Sequence, residues 1–330
     1  MLFILNKIAI FLLYKIFKLF NLYVFIYNVA MKYAIVTDSS IGLTKAQTEK
    51  LGWFFLPLNL VIDGVNYADG VDITSDTLFE KFTLESDVKS SMFNMQYAID
   101  LFTDLSKEYD IIFVYPISQH LSNSYQALKT MEKDFSKLRV IQSKQVMMPL
   151  LWDVIWFDHM LKTDSSKYDE YIKHLENPSW KHSVSVIPKY NRYLVKGGRL
   201  HPAAALVARM LKLVPIIKWE DGQLMKENIG RNFEKTISKN LSQKYESFKV
   251  PSGFTLTPVI IHQGASKESL DEYKKIVYDY WKKDPMIFSF SPVIEIHTGP
   301  ETHVLGLMIF PTNIIDVLKE KLTLIGLWNS

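Results

Sequence analysis

The chain has no cysteine among its 330 residues. Disulfides, thiolate metal sites and cysteine nucleophiles are therefore excluded together, and nothing points to an oxidising compartment. Glycine and proline number only 13 each and are scattered, so no repeat and no low-complexity linker interrupts the chain. Nucleotide-binding loops are missing: there is no Gly-x4-Gly-Lys-Ser/Thr and no Gly-x-Gly-x-x-Gly opening a helix. No Gly-x-Ser-x-Gly elbow surrounds any serine. No His-Glu-x-x-His occurs, and the eight histidines (120, 159, 174, 182, 201, 262, 297 and 303) never fall four residues apart, so no metal site is expected. These absences move weight from an enzyme toward a binding module.

Excess charge is also scarce. The formal +3 is carried by Lys7, Lys15 and Lys18, and from Met31 onward basic and acidic residues balance at 35 acids. No basic face for nucleic acid is expected. Residues 1–30 are rich in Phe, Ile, Leu and Asn, but their apolar runs between lysines are shorter than a membrane span requires. No small-residue cleavage site follows them, so an export signal fits poorly and a cytoplasmic protein is expected. Lys7, Lys15, Lys18, Asn21 and Asn28 share one side of a helical wheel, as in a helix lying in a membrane surface. A start codon placed too far upstream explains the same stretch, and a true anchor is the third reading.

What is present is 48% hydrophobic residues, enough for a large core and for two domains. Asp110 to Ala127 organises the first. Ile111 to Tyr115 is nearly all apolar, the pattern of a parallel strand buried on both faces, and Pro116 stops it. Ser118, Ser122 and Ser124 then stand at the start of a helix expected over about 122–135. Hydroxyls and free N–H groups meeting there suit an anion, and a carboxylate better than a nucleophilic reaction. Tyr33 to Thr37 is a second such strand, ending in Asp38-Ser39-Ser40, and Lys89-Ser90-Ser91 opens a helix over about 94–108. In a parallel sheet these loops lie at strand carboxyl ends, where open α/β folds place ligands. Taken singly, each serine is an ordinary cap and Asp38 an ordinary turn residue.

Three segments are expected: the N-terminal extension 1–30, an α/β domain 31–162 with a mostly parallel sheet, and an α+β domain 163–330 with a mostly antiparallel sheet. In the last, Lys196-Gly197-Gly198-Arg199 closes a helical turn, Ala203 to Leu213 is an apolar helix, and Glu220-Asp221-Gly222 is a hairpin turn. Helices are expected over 231–248 and 266–283, and strands at 259–262, 286–290, 293–297 and 304–310. His297 ends the third of these strands, before Gly299-Pro300.

Tyr115-Pro-Ile-Ser-Gln-His-Leu-Ser-Asn-Ser-Tyr-Gln126 resembles the strand-loop-helix signature of the DegV family of bacterial fatty-acid-binding proteins. Nearly all of 31–330 carries the resemblance: the Ile35 to Ser40 start, Pro57-Leu58, Tyr67-Ala-Asp69-Gly70, Leu194 to Arg199, Pro215-Ile-Ile and His297-Thr-Gly-Pro300. The family's usual start falls at Met31. The resemblance implies a two-domain fold around one long-chain fatty acid, with no cofactor. It also implies a non-catalytic subunit whose separate ATP-dependent fatty acid kinase phosphorylates the bound acid. By that pattern Ser90, Ser122, Arg231 and His297 hold the carboxylate, with Asp38, Ser39, Ser91 and Ser118 as secondary candidates. Three places depart from the pattern: Met92-Phe93 replaces Gln-Pro, Glu301 replaces the Gly after Gly-Pro, and His120 and Asn123 replace loop glycines. A hydrolase or phosphotransfer enzyme using His297 with Asp38 is the alternative. A membrane-surface carrier attached by residues 1–30 is the third reading.

Overall fold

Short apolar runs separated by capped helices lay the first half of the chain into a parallel sheet. The computed structural model describes residues 15, 31–83, 85–178, 181–199 and 213–328. β1 (Tyr33–Asp38) runs into a 3-10 turn at Ser39–Ile41, for which the Asp38 carboxylate is the N-cap. α1 (Lys45–Lys50) starts at a Thr44/Gln47 capping box, which satisfies two otherwise free N–H groups. β2 (Phe54–Leu56), β3 (Asn59–Ile62), β4 (Val65–Ala68) and α2 (Ser75–Leu78) follow, then β5 (Val88–Ser91) and α3 (Met95–Glu108). β6 (Ile111–Tyr115) is buried at all its positions. After it come α4 (Ser124–Met131), β7 (Leu138–Val140), α5 (Met148–Thr163) and α6 (Tyr168–Glu176).

The sheet order β2-β1-β6-β7 is parallel throughout. β3 to β5 form a separate antiparallel sheet, ordered β4-β3-β5. The segment Lys89 to Ser91, expected only as the approach to a helix, is thus an edge strand that aligns Ser90 opposite Leu60. α5 is buried on nearly every side, which explains its lack of amphipathic pattern.

The second half is a six-stranded sheet. Its elements are β8 (Ser183–Ile187), α7 (Asn191–Gly197), β9 (Val214–Glu220), β10 (Gln223–Gly230), α8 (Phe233–Ser247), β11 (Phe254–His262), α9 (Lys267–Trp281), β12 (Met286–Phe288), α10 (Pro292–Thr298), β13 (His303–Pro311) and α11 (Ile315–Leu324). The order is β10-β9-β8-β13-β11-β12. Only β11 and β12 are parallel. The chain is therefore a mixed α/β protein with a parallel sheet first and a mostly antiparallel sheet second, and residues 33–330 form one compact unit.

One expected strand is a helix. Val293 to His297 alternates apolar and polar residues, which favours a strand locally. Ser291 and Pro292, however, stand at the N-cap and first-turn positions of α10, where proline's fixed φ starts a helix and its missing N–H is not needed. The helix expected over 203–213 and the surface helix expected in 1–30 fall, apart from Leu213 and Lys15, outside the described residues. Among those described, no helix is long and apolar enough to cross a membrane.

α10 ends at Gly299, with φ 83° and ψ 167°, a backbone region essentially restricted to glycine. A Cβ there would lie 2.3 Å from Tyr193 Cδ2. Gly299→Ala is expected to lower stability by roughly 1–3 kcal/mol through strain and overpacking. Urea unfolding monitored by circular dichroism measures it, and an unchanged midpoint would contradict this packing.

Candidate functional site

The loop after β6, the edge strand β5, the end of α7, the β9–β10 turn and α10 enclose one cavity of about 710 Å³. Its apolar wall includes Leu58, Met92, Ile117, Leu121, Leu194, Leu224, Val293 and Ile294, and its polar wall Ser90, Ser91, Gln119, Ser122, Arg199 and His297. Apolar walls with a few convergent donors are the usual makeup of a small-molecule site.

The polar groups form a linked set. Ser90 Oγ and His297 Nε2 share a hydrogen bond of 2.7 Å, whose direction follows the imidazole tautomer. Arg199 Nη2 donates to the same Ser90 oxygen at 3.4 Å, and its Nη1 donates to Gly197 O at 2.5 Å. Gly197 lets the chain press on the ring, because a Cβ there would sit 2.8 Å from His297 Nδ1. Burial first, and the Arg199 charge second, push His297 down to about 3, so the ring is neutral at ordinary pH. On the other side, Ser122 Oγ accepts the Ser124 N–H at 3.2 Å and bonds Ser124 Oγ at 2.8 Å. Its remaining capacity faces the cavity beside the first turn of α4.

Four of the expected residues, Ser90, Ser91, Ser122 and His297, therefore line one cavity. Arg231 does not: it is exposed beyond the end of β10, outside the lining. Arg199 stands at the cavity instead. The sequence signal for it was its place directly after the Gly197-Gly198 reversal, which swings the next side chain back over the end of α7. Ser118, Ser39 and Asp38 are buried behind the wall. Ser118 Oγ donates to Gly222 O at 2.8 Å and thereby ties the β6 loop to the β9–β10 turn. Ser39 Oγ accepts the Leu58 N–H at 3.1 Å.

Asp38 Oδ1 accepts from Ser40 N and Oγ, and Oδ2 accepts from Ile117 N at 2.8 Å. Its carboxyl thus braces the loop rather than pairing with His297, and the His–Asp relay of the enzyme alternative is not assembled.

The departures from the family pattern can be placed one by one, with His120 and Asn123 both lining the cavity. Met92 joins the apolar wall, and Phe93 is core, 2% exposed. Glu301 lies outside the lining and is paired with Lys189 and the Tyr190 hydroxyl, so its charge is neutralised away from the cavity. Among the described residues no cluster suited to a metal ion occurs.

A family model described as an uncharacterised protein of the DegV family matches residues 32–312. A DegV domain-containing protein of Mycoplasmopsis pulmonis is 38% identical over 290 residues, covering 88% of this chain and 99% of the relative. Among solved structures, a fatty acid binding DegV family protein from Streptococcus agalactiae superposes with a TM-score of 0.74 at 23% identity, covering 86% of this chain and 100% of that one. A stearic acid-binding protein from Eubacterium ventriosum gives 0.69 at 24% identity, covering 84% and 98%.

The neutral imidazole is testable. The His297 ring resonances are expected to stay constant between about pH 7 and about pH 5, where a free imidazole titrates. Arg199→Met should raise the titration point, because it removes the charge and leaves the burial. A ring titrating near its ordinary value in the unmodified protein would refute this geometry.

Proposed function

The chain belongs to the DegV family, and from that membership we propose that it binds one long-chain fatty acid in the cavity described and presents its carboxylate to a separate ATP-dependent kinase. The observation that supports this is the joining of Ser90, His297 and Arg199 at one cavity whose remaining wall is largely aliphatic. A carboxylate leaving water loses several kcal/mol unless donors replace its hydration. A guanidinium and two serine hydroxyls supply them, and Arg199 adds the opposite charge.

In this reading Ser90 and Ser122 donate from two sides, His297 holds Ser90 in place, and Arg199 rather than Arg231 is the cationic partner. The acyl tail lies along Leu58, Met92, Leu121, Leu194 and Val293, each buried methylene contributing about 0.8 kcal/mol. The neutral, depressed imidazole suits a hydrogen-bonding role, since a second full positive charge is not required beside Arg199. Solved DegV proteins described as binding fatty acids, including one with stearic acid, are consistent with this class of ligand. The kinase partner and any membrane-surface contact rest on the family resemblance.

Mass spectrometry of organic extracts from protein purified without added lipid is expected to return one fatty acid per chain. Ser90→Ala and Arg199→Ala should each weaken uptake of palmitate roughly tenfold to hundredfold, the value of a hydrogen bond to a charged group. Arg231→Ala should leave it unchanged. Protein that is empty and takes up no offered fatty acid would overturn the reading.

A further inference from the structure

Two walls of the cavity come from opposite halves of the chain. The loop after β6 brings Ile117, Gln119, Leu121 and Ser122, and the turn from β9 into β10 brings Gln223 and Leu224. A third segment, residues 141–147, bonds to both and contributes nothing to the lining.

Gln145 is the residue of that segment that grips both sides. Its backbone carbonyl accepts the Ser118 N–H at 2.9 Å, and its side-chain Oε1 accepts the Trp219 Nε1–H at 3.3 Å. An indole nitrogen can only donate, so the amide oxygen rather than the amide nitrogen must face it. Ser118 Oγ in turn donates to Gly222 O at 2.8 Å, farther along the same hairpin as Trp219. The three bonds close a ring that runs from Gln145 to Ser118, to Gly222, back along the hairpin to Trp219, and so to Gln145 again. A single bond between two walls is a hinge, whereas a closed ring also fixes their rotation. Ser118 is 0% and Gln145 9% exposed, so a member that lost its partner would leave a polar group unpaired away from water.

The fit around the ring leaves no slack. Gly222 has φ 82°, and a Cβ there would sit 2.7 Å from Ser118 Oγ and 3.2 Å from Lys144 Cα. The hairpin tip is thus pressed against the segment that holds it. The Ser143 hydroxyl accepts the Gln145 N–H at 3.1 Å, and the Ser143 carbonyl accepts the Gln119 N–H at 3.3 Å, which extends the grip to a lining residue. Met147 has φ 56° and ψ −134°, a backbone that residues other than glycine seldom adopt, and its N–H donates to Ser40 O at 2.7 Å. The path through Gln145 is imposed by its partners rather than by local preference.

We propose that Gln145 is a positioning residue for the ligand: by holding the Ser118 loop and the Trp219 hairpin in one ring of hydrogen bonds, it sets the separation of the Leu121 and Leu224 walls against which the acyl tail packs. The tail rests on the fatty-acid reading, whereas the ring does not. Gln145 itself is absent from the lining and acts only through the walls. A gap of about 0.5–1 Å beside an apolar chain already forfeits roughly a quarter to a half of each dispersion contact. A loosened wall therefore penalises a long acid more than a short one, while a general loss of stability penalises both alike.

The absence of cysteine allows the separation to be measured directly in the full chain. Gln126→Cys on α4 and Lys226→Cys on β10, both exposed and outside the lining, carry a pair of spin labels. Dipolar electron spin resonance of ligand-free protein is expected to give one narrow distance distribution, and Gln145→Leu is expected to broaden or shift it. An unchanged distribution overturns the proposal. Trp219→Phe removes the indole donor, keeps a ring and should act in the same direction, which covers the case in which Gln145→Leu does not fold. In uptake, the ratio of palmitate to laurate affinity should fall at least about fivefold in either variant. Asp158→Asn is the stability control, because Asp158 is buried about three turns along α5 and pairs there with Lys162 and Lys321. It should lower the melting temperature and leave both the distance and the ratio as they were. A ratio in Gln145→Leu that matches this control would refute positioning. If the unmodified protein takes up neither acid, the fatty-acid reading fails, and the distance distribution still decides whether Gln145 sets the walls.

Discussion

An anion can rest at the mouth of an apolar cavity only where fixed donors replace the water it gives up. If the proposed ligand is the right one, that constraint accounts for the way this chain is assembled. No single loop supplies enough donors: Ser90 comes from an edge strand, Ser122 from the turn after a parallel strand, Arg199 from a Gly-Gly reversal and His297 from a helix of the second half. The parallel sheet, the six-stranded sheet and the small antiparallel sheet are the scaffolds that bring these four to one wall. Ser118 on Gly222 and Asp38 on Ile117 keep the wall from shifting.

Polar groups in this interior fall into two kinds. Asp38, with three donors on its two oxygens, is satisfied and rigid. Asp69 and Glu295 are buried with no hydrogen-bond partner of ordinary geometry, and burial raises both carboxyls. The first kind fixes a loop through its ionised oxygens, although burial raises the Asp38 carboxyl to about 6. The second kind lies on or against α10, the element that completes the cavity.

Much of this was legible in the sequence. The buried run at Ile111 to Tyr115, its proline stop and the serines beyond it define the strand, loop and helix start, because an unbroken apolar pentamer fits little else. The Asp221-Gly222 turn announced its hairpin. Three features were not legible, for physical reasons. Val293 to His297 carries a strand's alternation, and only its burial between the two halves, with Ser291 and Pro292 at its start, makes it a helix. The choice between Arg199 and Arg231 turns on the path of the backbone after Gly197-Gly198, which composition and spacing leave undetermined. The edge strand at Val88 to Ser91 escaped for a related reason: it is short and polar, and pairing with β3 makes it a strand.

The bond between Ser90 and His297 joins residues 207 positions apart. Closing so long a segment is entropically demanding, and contacts of that range form late in folding. During synthesis the parallel sheet is complete once residue 140 has emerged, whereas the cavity has no imidazole until nearly the whole chain is made. A ribosome-bound intermediate therefore has the serine hydroxyls in hand but nothing to close the cavity over them. In the proposed reading, lipid capture belongs to the finished molecule, and a bound acid would act as a clasp between its earliest and latest parts.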